Sequence, residues 1–566
     1  MLLRRMNSLR DRRNARDAER GSALIAVLGV MAVSMVVVAL IGTVTIQSLG
    51  FTGASKAAVQ SQASAETGID VVASLLTAGT CSSPIYTAPT SNSDPNYLAG
   101  ATYTVKIYWS PSLTDDSTWS TTPQCPTSAA LRVKLDSTGT AGHPVAGIGT
   151  GNQRTVEAVY AAHSNTTTTP NSSLTPSGPA IYAYSATGFS GSGTLSPVSG
   201  SIPSVRIKVG DVTCSGGSNV QGDLVAGNGN LTVGGSCNVG GSVWTNKALN
   251  ISGSLTVGGD ATADSMDLAG TQLKGSAWAA NAMTLEWGTK VYQNATAKVL
   301  NLSGGNVLGT AWSQTSATYA GGASIDGALV AKSTNQTGNA GKGTKIVASG
   351  PGPGPAAGAT PTVPNWVDYG FNLADWPGFD VQTLPSGTCT WSQFLAADNA
   401  LAGGKGIIDA RNCTGAITIS TASDKLPVNN DLVILGKSFD LGHSFGFSAT
   451  TAHRLWLMTP DTTANGVPDC PGSNGAGNFT IEGGATLDPK ISVMIYSPCF
   501  VNITSGIDWY GQVFAGTVQV NGSANLHFVA VGLPGYNLDT GSLLPPTVVT
   551  SPSVVTTRQS IRNVNG

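Results

Sequence analysis

The chain repeats Leu231-Thr-Val-Gly-Gly as Leu249-Asn-Ile-Ser-Gly, Met266-Asp-Leu-Ala-Gly, Met283-Thr-Leu-Glu-Trp and Leu300-Asn-Leu-Ser-Gly. A second series interleaves with it: Gly222-Asp-Leu-Val-Ala, Gly241-Ser-Val-Trp-Thr, Gly259-Asp-Ala-Thr-Ala, Gly275-Ser-Ala-Trp-Ala, Gln293-Asn-Ala-Thr-Ala, Gly309-Thr-Ala-Trp-Ser and Gly327-Ala-Leu-Val-Ala. Both series return after about 17 residues, a period typical of stacked solenoid turns. Because each turn holds two or three short strand-like runs with glycine at the corners, the pattern predicts a parallel β-helix over residues 178–336.

The second series also predicts which side chains face outward. Its third positions are small and apolar, as the interior of a solenoid requires: Leu224, Val243, Ala261, Ala277, Ala295, Ala311 and Leu329. Neighbours along a strand point to opposite sides, so the fourth positions face outward and place Trp244, Trp278 and Trp312 on every second turn. With strands ~4.8 Å apart, these indoles lie roughly 10 Å from each other. We expect a tryptophan ladder that either packs against another part of the protein or binds sugar rings or a partner protein.

The chain beyond this repeat is less regular. A Gly/Pro-rich stretch at residues 337–366 is expected to be a linker. Strand-like runs return between residues 367 and 540, which we interpret as a second β-solenoid segment, continuous with the first or packed on it. A helix is predicted over Trp391–Ala402, since Gly403-Gly404 follows where a C-cap falls. Residues 541–566 are expected to form a flexible tail.

The N-terminus combines a basic head with a long uncharged run. Residues 1–20 are rich in arginine, Gly21 follows, and no Lys, Arg, Asp or Glu occurs from Ser22 to Ser55. A helix over this run is about 50 Å long, more than the roughly 30 Å hydrocarbon layer of a membrane. We therefore predict a transmembrane and protruding helix at residues 22–80, with its N-terminus in the cytoplasm. The run is too long for a cleaved secretory signal, and a plain signal anchor is the alternative.

The N-terminal segment and the helix carry a family resemblance. Arg20-Gly21-Ser22 resembles the processing site of type IV pilin-like proteins, which implies that residues 1–21 are a leader and that a prepilin peptidase cuts between Gly21 and Ser22. Ala65-Glu66-Thr67-Gly68-Ile69 looks like a segment of PilX-like minor pilins. Most major pilins have glutamate at the fifth mature position, where this chain has Ala26, so the resemblance implies a minor or tip subunit. It covers roughly residues 1–160.

Residues 81–161 are predicted to form a small β domain. Two runs alternate with a period of two, Ala101–Trp109 and Ala130–Leu135, and Arg154–Tyr160 gives a third strand. Such a half-buried sheet needs a partner surface, which the long helix can supply, and a helix leading into a short antiparallel sheet is the pilin layout. A Thr/Ser/Pro linker at residues 162–177 follows. The fold class is therefore mainly β, with an N-terminal transmembrane helix, a pilin-like sheet and a parallel β-helix in two segments, similar in architecture to bactofilins and other polymer-forming proteins.

Composition and cysteines agree with an exported protein. Charged residues make up 11% of the chain, against about 25% in an average globular protein. The eight cysteines are taken in order as four local pairs, Cys81–Cys125, Cys214–Cys237, Cys389–Cys413 and Cys470–Cys499. Zinc ligands usually come in short-spaced pairs with histidine, so we expect disulfides and no metal site, with free structural thiols as the alternative.

We find no catalytic constellation and predict no enzyme activity and no cofactor. The five histidines are scattered, and Gly442-His-Ser-Phe-Gly446 matches a nucleophile motif but lies between strand-like runs rather than at a strand-to-helix elbow. A formal net charge of -2 gives no basic footprint for nucleic acid.

The sequence thus predicts a minor or tip subunit of a type IV pilus or related filament, which displays a β-solenoid on the cell surface for assembly, adhesion or both. Its partners would be the membrane, other pilin-like subunits, the pilus assembly machinery and a carbohydrate or surface protein. A membrane-anchored surface β-helix outside any pilus is the alternative, and a carbohydrate-active β-helix enzyme is the third class.

Overall fold

A computed structural model of the protein describes residues 24–88, 100–142 and 152–564, with gaps at residues 165, 170, 199, 201, 338–344, 348–353, 402–403, 419–424, 443–445, 471–476, 485 and 505. The predicted leader, with Gly21 and Ser22, lies outside the described residues. The chain divides into two units. Unit 1 comprises residues 1–169 and 548–566, and unit 2, residues 170–547, is inserted between these two parts.

The described residues form the helices α1 (Leu24–Thr77) and α2 (Trp391–Ala400) and two 3₁₀ turns, Asp116–Thr118 and Leu373–Asp375. The first strands are β1 (Ile85–Thr87), β2 (Thr102–Ser110), β3 (Arg132–Thr140), β4 (Gln153–His163) and β5 (Thr166–Thr169). The first segment of unit 2 contains β6 (Ile181–Ala183), β7 (Thr187–Gly191), β8 (Thr194–Pro197), β9 (Val205–Ile207), β10 (Val212–Cys214), β11 (Asn219–Val220), β12 (Leu224–Ala226), β13 (Leu231–Gly234), β14 (Asn238–Val239), β15 (Val243–Thr245), β16 (Ala248–Ser252), β17 (Thr256–Val257), β18 (Ala261–Ala263), β19 (Ser265–Ala269), β20 (Gln272–Leu273), β21 (Ala277–Ala279), β22 (Ala282–Glu286), β23 (Lys290–Val291), β24 (Ala295–Ser303), β25 (Asn306–Val307), β26 (Ala311–Ala320), β27 (Ser324–Ile325), β28 (Ala328–Thr337) and β29 (Lys345–Val347). The second segment contains β30 (Phe379–Thr383), β31 (Lys405–Asp409), β32 (Leu426–Pro427), β33 (Leu432–Leu435), β34 (Phe439–Leu441), β35 (Gly446–Ser448), β36 (His453–Met458), β37 (Phe479–Ile481), β38 (Thr486–Leu487), β39 (Ile491–Ile503), β40 (Asp508–Gly522), β41 (Asn525–Phe528), β42 (Tyr536–Asn537) and β43 (Ser542–Leu543). The last strands are β44 (Thr547–Thr550) and β45 (Val554–Asn563).

Unit 1 packs the second half of α1 on an antiparallel sheet with the strand order β1-β2-β3-β4-β45. The helix buries Ala65, Ile69, Val72 and Leu76, which share one face because they lie three or four residues apart. They form one core with inward-facing residues of the sheet, among them Val105, Ile107, Val133, Leu135, Val156 and Ala158. The three strands predicted from the sequence are present as β2, β3 and β4.

Two glycines let α1 approach this sheet closely. A Cβ atom on Gly68 would lie 2.7 Å from Ser137 Oγ and 2.9 Å from the Tyr103 ring. A Cβ atom on Gly139 would lie 2.1 Å from the Ser61 carbonyl oxygen. Larger residues would force the helix away from the sheet, so Gly68, part of the Ala-Glu-Thr-Gly segment, has a packing role.

The long N-terminal helix is present, with 54 residues, but its membrane-spanning role has no support from the structure. No helix in the part of the chain that the structure describes is both long and apolar enough to cross a membrane. Of the side chains between residues 24 and 49, the structure describes that of Met35 alone.

Unit 2 is a parallel β-solenoid with three short strands in each regular turn. β13, β14 and β15 form one turn and pair in parallel with β16, β17 and β18 of the next. The first repeat series is in register, since Leu231, Leu249, Met266, Met283 and Leu300 pair one above another. The interior column predicted from the second series is buried throughout. Corner glycines such as Gly253, with a φ of 117°, adopt a backbone conformation that other residues rarely allow.

The two solenoid segments form one continuous stack, joined in an order that differs from their order along the chain. β40 pairs with β6 and β7, and β41 pairs with β8, so the last turns of the second segment lie against the first turns of the first segment. The chain therefore begins near the middle of the stack, builds the first segment outward to β28 and β29, and resumes at the opposite end with β30 and β31. From there it returns to the middle.

The two ends of the insertion meet at this junction. The Leu538 amide donates to Ser177 Oγ at 3.0 Å, and the Gly178 amide donates to Asp539 Oδ1 at 3.1 Å. A domain whose ends lie together can be inserted into a host fold without separating the host strands.

The structure forms four disulfides, Cys81–Cys125, Cys214–Cys237, Cys389–Cys413 and Cys470–Cys499, the same pairs as the sequence predicts.

Helix α2 contacts β31 at the outer end of the second segment and begins with a capping box between Thr390 and Gln393. It ends at Ala400, two residues before the predicted end.

Three segments expected to lack structure contain strands. β5 lies in the predicted linker 162–177 and pairs with β44. β45 lies in the predicted flexible tail and pairs with β4, completing the sheet of unit 1. In the predicted linker 337–366, β29 extends the stack, and the last residues of this linker pack on the solenoid. The tail was misjudged because only Val555 of β45 is buried, which leaves no alternating pattern to detect.

Candidate functional site

The tryptophan ladder, Trp244, Trp278 and Trp312, forms a single outward column of the first segment. Strand pairing stacks Val225, Trp244, Thr262, Trp278, Thr296, Trp312 and Val330 in consecutive turns. All three indoles are half-buried, while the residue before each one is buried in the interior. The predicted register and direction of the ladder therefore agree with the structure.

The same outward column continues across the junction into the second segment. Below Val225 it runs through Arg206, Tyr182, Phe514 and Tyr496. One continuous face of the solenoid thus carries tryptophans in its first segment and a mixture of tyrosine and phenylalanine at the junction and beyond.

A single segment, residues 354–379, runs along this face from the ladder to the second segment, and we call it the strap. Gly354 lies on Trp312, since a Cβ atom there would be 2.7 Å from both the Trp312 Cβ and the Thr296 Cγ2 atoms. Further along, the Arg206 guanidinium donates to the Thr362 carbonyl oxygen, and Lys208 Nζ donates to Asn365 Oδ1 at 2.9 Å. The sequence analysis assigned residues 354–366 of the strap to a linker, although Trp366 was a signal that it packs, and assigned the rest of the strap to the second solenoid segment.

The second half of the strap is anchored by aromatic packing and hydrogen bonds. Trp366 packs on the column from the strap side and stacks on the rings of Tyr496 and Tyr182, at centroid distances of 5.5 and 6.3 Å. Trp376 meets Trp456 edge to face at 5.0 Å. These rings belong to one buried cluster, which we call the aromatic cluster: Tyr182, Trp366, Tyr369, Trp376, Trp456, Tyr496 and Phe514.

Several polar atoms of the aromatic cluster have specific hydrogen-bond partners, whereas the Tyr182 hydroxyl is buried without one. Trp366 Nε1 donates to Asp461 Oδ2 at 2.9 Å, and Trp376 Nε1 donates to the Tyr369 hydroxyl at 2.7 Å. The Tyr496 hydroxyl donates to the Val367 carbonyl oxygen at 2.6 Å. Burial raises the pKa of Asp461, and the Trp366 hydrogen bond partly offsets this by favouring the carboxylate. This half of the strap is part of the solenoid core.

The first half of the strap leaves space beside the ladder. On one side, a cavity of about 270 Å³ is lined by Trp244, Trp278, Asn246, Asp264 and the strap residues Gly358 and Thr360, among others. On the other side, a cavity of about 200 Å³ reaches Trp278. The first cavity, which we call the cleft, is the one that both Trp244 and Trp278 line.

The chemistry of the cleft is that of a binding surface. It combines two indoles, one carboxylate and amide and hydroxyl groups. Among the described residues no cluster of His, Cys, Asp or Glu could hold a metal ion. His443, Ser444 and Phe445 of the nucleophile motif lie outside the described residues.

Two solved structures are similar to this chain in part. The C-terminal domain of the tapirin from Caldicellulosiruptor kristjanssonii is 12% identical, with a TM-score of 0.25, and the match covers 62% of this chain and 93% of that one. The competence-associated pilin ComZ from Thermus thermophilus is 12% identical, with a TM-score of 0.19, and the match covers 89% of this chain and 97% of that one. No protein-family model and no curated protein matches the chain. Both likenesses are distant, and neither carries an argument about this protein.

Proposed function

We propose that this protein is a minor or tip pilin-like subunit that displays an inserted β-solenoid on the cell surface and has no catalytic role. The observation that carries the proposal is the layout of unit 1, in which one 54-residue helix packs its second half on a small antiparallel sheet. This layout agrees with what the resemblance of residues 1–160 to type IV pilin-like proteins implies.

The N-terminal sequence supports the same role. Gly21 separates an arginine-rich leader from an uncharged run that is long enough to span a membrane when helical. In the proposal, a prepilin peptidase removes the leader, residues 22–46 hold the subunit in the membrane before assembly, and units 1 and 2 lie outside the cytoplasm. The four disulfides fit an oxidising compartment.

The insertion supports display rather than filament building. Unit 2 contributes no strand to the five-stranded sheet of unit 1, which β45 completes after the chain returns. The solenoid can therefore vary or bind a partner without changing the pilin-like sheet.

The processing step tests this proposal. In cells with an active prepilin peptidase, N-terminal sequencing of the mature protein should begin at Ser22, and sheared surface filaments should contain the protein. Gly21→Leu should block cleavage and remove the protein from the filament fraction. Gly50→Leu is the matched control, since its Cβ position has nothing within 4 Å, and it should be processed normally.

A mature N-terminus at Met1 in such cells would refute the pilin assignment. Processing at Ser22 without recovery in sheared filaments would limit the protein to a membrane-anchored surface role.

A further inference from the structure

We infer that the cleft binds a neutral, extended β-linked glycan, with sugar rings stacked on Trp244 and Trp278. The inference rests on the proposed surface role for its biological setting, and it names the ligand class of that displayed solenoid.

The spacing of the two indoles fits an extended glycan chain. Trp244 and Trp278 lie two turns apart, with Thr262 between them, so their separation is about 10 Å. Two successive residues of an extended β-1,4-linked chain span a similar distance, and every second sugar presents the same face. A tryptophan on every second turn therefore meets the same apolar ring face each time.

The charge of the cleft selects among ligands that stack on aromatic rings. Among the described residues that line it none is a lysine or an arginine, and Asp264 contributes a carboxylate that accepts from Asn281 Nδ2 at 2.8 Å. A phosphate or uronate chain would meet repulsion here without a compensating cation. Neutral sugar hydroxyls instead can donate to Asp264 and exchange hydrogen bonds with Asn246.

The strap gives the cleft its second wall. Ala357, Gly358 and Thr360 border it opposite Asn246 and Asp264. None of these strap side chains is large enough to cover an indole, so the two rings stay half-exposed. Trp312 differs, since Gly354 lies on its ring and its Nε1 atom is buried.

The test measures binding of soluble hexasaccharides to the purified full-length protein by calorimetry. Cellohexaose and chitohexaose are the neutral β-1,4-linked probes, maltohexaose is the α-linked control and hexagalacturonate is the anionic control. Combined Trp244→Ala and Trp278→Ala substitution should weaken binding of a β-linked probe by about tenfold or more. Trp312→Ala, in the same column but outside the cleft, should bind as the unmodified protein does.

A second variant keeps both tryptophans and fills the cleft. Gly358→Tyr adds a ring at a position with nothing within 4 Å of the new Cβ atom, so the fold tolerates it. It should weaken binding as strongly as the double variant, with an unchanged melting temperature.

Three results would overturn the inference: no binding of either β-linked probe, equal binding of maltohexaose or hexagalacturonate, or equal loss in the Trp312→Ala variant. Because the assay uses purified protein, its outcome is independent of filament assembly. Normal glycan binding by a protein absent from filaments would refute the pilus role and leave this inference standing.

Discussion

In the second segment of the solenoid the outward column under the strap is closed by aromatic packing, whereas in the first segment the same column stays half-open. Trp366 and Trp376 come from the strap and bury Tyr496 and Trp456. Beside the ladder, the strap consists of Gly354-Pro-Ala-Ala-Gly-Ala-Thr360, whose side chains are too small to cover an indole. The solenoid face is similar in both halves, so the side chains of the strap decide which half is core and which is surface.

The largest expected effect on stability comes from removing an aromatic ring of the strap that packs on the second segment. Trp366→Ala should lower the free energy of unfolding of the second segment by about 3–5 kcal/mol, because it leaves a cavity and removes one hydrogen-bond donor from the buried Asp461 carboxylate. Chemical denaturation, with hydrogen exchange of the amides of the second segment as the readout, would measure this loss of stability. A loss below about 1 kcal/mol would mean that the two halves of the strap do not differ as described.

The stability of the outer end of the second segment should depend on pH through Asp398. Burial raises the pKa of this α2 carboxyl to about 6, although Asn429 Nδ2 donates to it at 3.2 Å. The raised pKa means that the protonated form favours folding: this contribution is complete below pH ~4 and is lost as pH rises through about 6.

Protection of the α2 amides, corrected for intrinsic exchange, should therefore fall by up to about 3 kcal/mol between pH 4 and pH 7. Asp398→Asn should remove most of this dependence. An equally steep profile in that variant would assign the titration to another group.

A smaller effect is expected where the strap first touches the ladder. Gly354→Val places side-chain atoms against Trp312 and should lift the strap locally, at a cost of about 1–3 kcal/mol. Radical footprinting should then show faster oxidation of Trp312. Gly358→Val, which has free space, is the control and should leave Trp312 unchanged.

The smallest effect on stability is expected for the tryptophan ladder of the first segment. Trp244→Ala and Trp278→Ala should each cost about 1 kcal/mol or less, since the rings are half-exposed and outside the core. The comparison with Trp366→Ala is informative, because Trp244 and Trp278 belong to the solenoid face and Trp366 belongs to the strap that packs on the same face. Costs as large as that of Trp366→Ala would show that the ladder is structural.

The sequence predicted the features of the solenoid that depend on local periodicity. Alternation along each strand placed Ala277 inside and Trp278 outside, and the spacing of the repeats placed Trp244 and Trp312 in the same column. The local disulfide pairs also followed from chain order. Two of the three predicted strands of unit 1 followed from alternation as well.

The stacking order and the strap depend on long-range contacts that periodicity does not encode. A turn of the second segment has the same pattern whether it stacks on β28 or on β6, so the junction of β40 with β6 had no local signal. The glycine and proline residues at the start of the strap are typical of a linker. The strap packs on the solenoid through its backbone there and through a few aromatic rings further along the chain. The cleft lies between the ladder and the strap, so it could not be derived from the ladder alone.

The junction at the middle of the stack also sets the path of mechanical force. The chain enters the stack near Ser177 and leaves it near Leu538, so tension applied between these crossings and the face at Trp244 would pass through the turns from β6 to β15. Cys214 and Cys237 cross-link successive turns within this loaded stretch. Most of the second segment, with Cys389–Cys413 and Cys470–Cys499, lies outside this path, so of the four disulfides Cys214–Cys237 alone would reinforce the backbone and the hydrogen bonds between the loaded turns.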